Sequence, residues 1–172
     1  MSTPGPADWG DPRSRTVTWH DPAVGAAAMA SMSGIDYLRA IAAGELPSAP
    51  IAELFGARVT SISEGEVVFD CAPDESAYNP IGAVHGGFMC TLLDSVVGCA
   101  VQTTLPAGTG YTSLEIKVSY LRAVRAGEAM TAVGRVRKPG RRAAFADGEI
   151  RVAQGRLVAT ASSTCLIFAL QP

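Results

Sequence analysis

The stretch His85-Gly-Gly-Phe-Met-Cys-Thr-Leu-Leu-Asp94-Ser-Val-Val-Gly-Cys-Ala-Val-Gln-Thr-Thr104 decides the fold. Phe88, Met89, Leu92, Leu93, Val96, Val97 and Val101 are dense enough that the helix is expected to be apolar on all sides. A helix without a polar face belongs inside a domain. The charge-free run from Ser95 to Leu114 is nevertheless no membrane span, because Gln102, Thr103, Thr104, Pro106 and Gly108-Thr109-Gly110 make it too polar and too broken.

On both sides of this helix the period of the apolar residues is two. Val59–Ile62 and Val67–Phe69 flank Ser63-Glu64-Gly65-Glu66 and predict a hairpin. Leu114, Ile116, Val118 and Tyr120 alternate with Glu115, Lys117 and Ser119, which predicts a half-buried strand. Met130–Arg137, Ala143–Val152 and Leu157–Phe168 follow, punctuated by Pro139-Gly140 and Gln154-Gly155. Two strands, one buried helix and four strands predict an α+β domain, with one antiparallel sheet wrapped around one long helix. It is placed at 51–170. Residues 1–50 form an N-terminal extension rich in Pro, Gly, Ala and Ser, expected to be loosely ordered. Within it Ser33 is a helix N-cap before Ile35, Leu38 and Ile41, and Gly44 and Pro47 end that helix. A further helical turn is expected at Ile51–Phe55, closed by Gly56.

At 172 residues, 48% hydrophobic and 17% charged, the chain is long and apolar enough for one substantial core. A net charge of −2 argues against general nucleic-acid binding. The charge is unevenly spread: residues 1–116 sum to −9 and residues 117–172 to +7. The four cysteines show no CxxC pair, which suits free thiols in a reducing cytoplasm. No signal peptide is visible. The two histidines, His20 and His85, build no metal site.

The one charge on the apolar helix is Asp94. A carboxylate in such a setting has either a partner or a task. Upstream, Asn79-Pro-Ile-Gly-Ala-Val-His85-Gly86-Gly87 runs into the helix start, where unpaired N–H groups and the helix dipole can hold an oxygen that becomes negative. Both features also have plain readings: a solvated or Arg-paired Asp94, and close packing at the glycines. His85 is by default an N-cap. Cys90 lies between His85 and Asp94 but reads as core. No G-x-S-x-G elbow and no phosphate-cradling glycine loop occurs. Arg135, Arg137, Lys138, Arg141 and Arg142 flank Pro139-Gly140, either as a solvated hairpin tip or as a phosphate site.

Asn79-Pro80-x-Gly82-x-x-His85-Gly86-Gly87, followed by Thr91-Leu92-x-Asp94 and Gly98, resembles the acyl-CoA thioesterases of the hotdog fold. The likeness is to the PaaI-like, phenylacetic acid degradation branch, with the Asp-based 4-hydroxybenzoyl-CoA thioesterases as relatives, and covers Ile51 to Phe168. The resemblance implies that Asp94 activates water or attacks the thioester carbonyl itself. It further implies that the Gly86 N–H polarises the carbonyl, that His85 orients the loop, that Asn79 helps hold water, and that Ser113 (or Thr112) assists. Arg137, Lys138, Arg141 and Arg142 correspond to a region that meets CoA phosphates. The family is cytoplasmic, uses no cofactor or metal, and assembles as homodimers or dimers of dimers. Two other readings stand beside hydrolysis of an aryl-, short- or medium-chain acyl-CoA. One is a hotdog hydratase, which spaces its acid–base residues differently. The other is a non-catalytic acyl-CoA-binding module, which has no use for Asp94. Independently of the family, Gly86 and Asp94 lie eight residues apart, about 12 Å along a helix at 1.5 Å per residue, too far to serve one carbonyl within one chain.

Overall fold

The computed structural model describes residues 5–170; residues 1–4 of the extension lie outside them. The helix α4 runs Gly86–Gln102. The sheet comprises β1 (Arg58–Ser63), β2 (Glu66–Cys71), β3 (Thr109–Tyr120), β4 (Met130–Lys138), β5 (Ala143–Val152) and β6 (Arg156–Ala169). All neighbours pair antiparallel in the order β1-β2-β4-β5-β6-β3. Each expected strand is present, and the expected α+β architecture with it.

Side-chain alternation explains why the sheet turns one face to α4. Along β5, Ala144, Ala146, Gly148, Ile150 and Val152 are buried while their neighbours are not. These inward residues meet Leu92, Leu93, Val96, Val97, Ala100 and Val101 of α4, all essentially inaccessible. Gly134 of β4 pairs with Gly148 of β5, and the helix backbone rests on that rung. A Cβ on Gly134 would lie 2.3 Å from the Val96 carbonyl oxygen, and one on Gly148 2.8 Å from a Val97 methyl.

Two expectations change in detail. First, α4 is not buried all round: Gly87, Cys90, Thr91, Asp94, Ser95 and Cys99 form a partly open stripe. The recurrence at three and four residues marks one helical face. At 100° per residue the seven large apolar residues leave an arc of about 140° uncovered, and Gly87, Thr91, Asp94 and Ser95 fall within it. Cys90, expected in the core, is accordingly only half-buried.

Second, β3 starts earlier than its alternation suggests and carries a bulge between Ser113 and Glu115. One inserted residue reverses which side chains face inward. Tyr111 and Ser113 therefore face α4 before the bulge, and Ile116 and Val118 pack on the core after it. Leu114 is left 60% exposed and Tyr120 50% exposed. Ser163, buried on β6, stabilises the irregularity by donating to the Glu115 carbonyl at 2.7 Å.

Before the sheet lie α1 (Pro22–Ala28), α2 (Gly34–Ala42) and α3 (Pro50–Phe55). Ser33 caps α2 as expected, its Oγ accepting from the Asp36 N–H at 3.3 Å. Gly56 closes α3 in the left-handed region at φ 66°. The helix α1 is an addition to the expected elements. Its start is set by Asp21, whose carboxylate accepts from the Ala23 N–H, followed by Pro22 at the first helical position. Leu38 and Ala40 of α2 are buried, and the Gly34 N–H donates to the Leu105 carbonyl at 2.9 Å. Trp9 and Trp19 stay largely exposed.

Candidate active site

Asp94 sits at the middle of α4's open stripe, and the bulged strand brings Ser113 to it. The Ser113 Oγ donates to Asp94 Oδ1 at 2.7 Å. A carboxylate oxygen so engaged is fixed in direction while its second oxygen stays free. Thr112, the alternative to Ser113, is exposed and pairs with Leu166 on the adjacent strand. The electrostatic mark of Asp94 falls on its thiol neighbours. Cys99 is pushed up to about 12 by burial, and by the Asp94 charge in addition. Cys90 is raised by the same two causes in the same order. Neither thiol is a ready nucleophile at neutral pH.

At the start of α4, His85 has extended backbone and its Nδ1 accepts from the Gly87 N–H at 2.8 Å. The Phe88 and Met89 N–H groups donate to the His85 carbonyl. The His85 N–H is taken by the Ala77 carbonyl at 2.8 Å. Among the described residues the Gly86 N–H has no such partner, so it is the donor this helix end leaves free. The Asn79 side chain builds the loop before it, its Oδ1 accepting from the Ile81 and Ala83 N–H groups at 3.1 Å each. That leaves the Asn79 amide nitrogen as the group with capacity to hold a water.

Two further residues hold this loop and are missed by sequence reasoning. The Tyr120 hydroxyl donates to the Gly86 carbonyl at 2.9 Å, and its ring covers Gly86. Arg125 donates to the Gly82 carbonyl. Neither belongs to a motif; both arrive through long-range packing of β3 and the segment after it.

The basic cluster divides. Arg135 pairs with Glu66 at 2.6 Å and with Glu149 at 3.5 Å, and Arg137 pairs with Asp147 at 2.6 Å. Lys138, Arg141 and Arg142 are exposed at the β4–β5 turn and form no ion pair among the described residues. His20 stands near α1 and α2, and among the described residues no three His, Cys, Asp or Glu side chains come together as a metal site.

An antiparallel sheet wrapped on one central helix, with a carboxylate on the helix's open side, is the hotdog architecture. Residues 81–159 match the model of the thioesterase superfamily. A phenylacetic acid degradation-related protein from Ralstonia eutropha shares the fold with a TM-score of 0.71 and 30% identity, over 76% of this chain and 98% of that one. Human acyl-coenzyme A thioesterase 13 is 28% identical over 107 residues, 62% of this chain and 76% of its own. A Caenorhabditis elegans protein assigned as an esterase is 31% identical over 112 residues, 64% of this chain and 66% of its own length. The chain belongs to the thioesterase superfamily, a family of hotdog-fold thioester hydrolases. No helix among the described residues is long and apolar enough to cross a membrane.

Proposed function

We propose that this protein hydrolyses acyl-CoA thioesters, with Asp94 as general base, in a site completed by a second copy of the chain. The observation that carries this reading is the Ser113–Asp94 hydrogen bond at 2.7 Å on the one open face of an otherwise buried helix. Asp94 takes a proton from a water as the water oxygen bonds to the thioester carbon. The carbonyl oxygen, becoming negative, accepts from the Gly86 N–H of a second copy at the positive end of its α4. The tetrahedral intermediate then expels the CoA sulfur, which recovers the proton, leaving the free acid. Asn79 holds the water and Ser113 fixes the direction of the Asp94 carboxylate; His85 keeps the loop in register by capping Gly87.

Acyl-CoA as the substrate class is supported by the name of the human relative and by the exposed Lys138, Arg141 and Arg142, which we assign to the CoA phosphates; Arg137 is committed to Asp147. The second copy is supported by helix geometry and by β3, a 12-residue strand at the sheet edge with Leu114 and Tyr120 exposed along it. A twofold pair then holds two equal sites. Free cysteines throughout suit a cytoplasmic setting.

The test is release of free CoA from a panel of acetyl-, hexanoyl-, decanoyl-, benzoyl- and phenylacetyl-CoA by the wild type and by Asp94→Asn. The variant keeps the side-chain volume but accepts no proton, so turnover on the best substrate is expected to fall about 10²–10⁴-fold with an unchanged melting temperature. Turnover within a factor of three of the wild type would remove Asp94 from the mechanism.

A further inference from the structure

An apolar cavity of about 710 Å³, whose lining starts at Ser95, the residue after Asp94, is roofed by the N-terminal extension; Asp94 and Ser113 do not themselves line it. Its floor is Ser95 and Cys99 of α4 together with Tyr111 of β3. Ser95 follows Asp94 directly, and Tyr111 is the inward neighbour of Ser113 on the same strand. The Tyr111 hydroxyl sits against Gly98, so close that a Cβ there would lie 2.2 Å from it. Ser95 thus opens the cavity one residue along α4 from the carboxylate and about 100° around the helix, and Cys99 continues it one turn further on. The roof is Val24 of α1, Ile41 of α2 and Leu46 after it. All three lie outside the residues matched by the family model, which begin at 81. The α2 helix that carries the roof is seated by buried Leu38 and by the hydrogen bond from Gly34 to Leu105.

We infer that the extension makes this cavity the acyl pocket and that Val24, Ile41 and Leu46 set the length of acyl chain the enzyme prefers. The inference rests on the thioester-hydrolase reading above. Three features choose a neutral hydrocarbon chain as the occupant. The pocket begins at Ser95 and Tyr111, the residue after Asp94 and the inward residue before Ser113, and is the apolar space nearest along these elements to what is attached to the thioester carbon. Its one arginine, Arg58, is held by Glu53 at 2.7 Å, leaving Glu45 to repel an acyl group that carries its own carboxylate. Its size completes the argument. A methylene occupies about the volume of a water molecule in the liquid, roughly 30 Å³. A chain of roughly 8–14 carbons then fills between a third and three-fifths of the space, whereas an acetyl group leaves it nearly empty.

The experiment compares kcat/KM for decanoyl-CoA and acetyl-CoA in the wild type, Ile41→Trp and Val24→Trp. Burial of apolar surface multiplies kcat/KM by roughly fourfold per methylene while the chain stays in contact with the pocket. The wild type is therefore expected to prefer decanoyl-CoA by at least about 30-fold, and each tryptophan to cut that preference by about tenfold or more. Val24 is half exposed on α1, so its replacement leaves the core untouched and gives a folded variant even where Ile41→Trp does not fold. A wild type that prefers acetyl-CoA, or a preference unchanged in the folded variants, overturns the pocket while leaving the hydrolase reading in place. A wild type that cleaves no acyl-CoA of any length overturns both.

Discussion

The two faces of α4 show how one helix can be both core and active site. Toward the sheet it presents Leu92, Leu93, Val96, Val97, Ala100 and Val101, and the sheet answers with Gly134 and Gly148, the two positions where backbone approaches backbone. Away from the sheet it presents Gly87, Cys90, Thr91, Asp94, Ser95 and Cys99, none of them large. The first face commits its side chains to contact and has no polar group to offer. The second withholds bulk, so that a carboxylate, a hydroxyl and an approaching ligand fit where a leucine would otherwise close the surface. Stability and chemistry are thus separated by rotation about one axis, and substitutions on the two faces are expected to fail in different ways.

The largest effect tests whether the open face is complete in one chain. Asp94→Asn and Asn79→Ala proteins are each expected to be nearly inactive: the first lacks the base, and the second lacks the oxygen that organises the Gly86 loop through Ile81 and Ala83. If Gly86 of one copy serves Asp94 of the other, a mixed dimer holds one doubly damaged site and one intact site. Unfolding and refolding the two proteins together should then recover about half the wild-type turnover per mixed dimer, a gain of about 10²-fold over either parent. Tagged mixed dimers, isolated and found as inactive as their parents, would place the oxyanion donor and the base within one chain.

The sheet-facing side is expected to break in stability instead. A Cβ on Gly134 meets the Val96 carbonyl, and backbone cannot swing aside as a flexible side chain does. Gly134→Ala should therefore lose about 3 kcal/mol of unfolding free energy, the upper part of the overpacking range, measured by denaturant titration. Under conditions where it stays folded, its kcat should remain within about threefold of the wild type. A stable Gly134→Ala with impaired kcat would mean that the two faces are not independent.

Much of this division is legible in the amino-acid sequence. The period-two segments, the apolar helix and its caps at Ser33 and His85 follow from local patterns, and so does the isolation of Asp94 on an apolar helix. What escapes is what depends on pairing. The bulge after Ser113 is fixed by register with β6 and by the buried hydroxyl of Ser163, not by a local signal. Leu114, which alternates faultlessly with its neighbours in sequence, is exposed for that reason. Tyr120 and Arg125 reach the Gly86 loop from residues 34 and 43 positions away. The basic run after residue 134 looks uniform, yet Arg135 and Arg137 are neutralised by acids on neighbouring strands and Lys138, Arg141 and Arg142 are not.

The smallest effect concerns Ser113, where the bulge and the open face meet. Its hydroxyl donates to Asp94 Oδ1 at 2.7 Å, a bond to a charged acceptor. Such bonds contribute about 1.5–3 kcal/mol. The part felt in the rate is smaller, because a water can replace the hydroxyl on this partly open face. Ser113→Ala should therefore lower kcat about tenfold with KM nearly unchanged, since the carboxylate loses its fixed direction while the binding surfaces are untouched. Ser113→Thr keeps the hydroxyl and should retain most of the wild-type kcat. Added to Asp94→Asn, the alanine should cost almost nothing more, because groups that act as a unit are not additive. A full tenfold further loss in the double variant would show that Ser113 works on the substrate or its water directly, and that the hydrogen bond to Asp94 is its resting arrangement rather than its role.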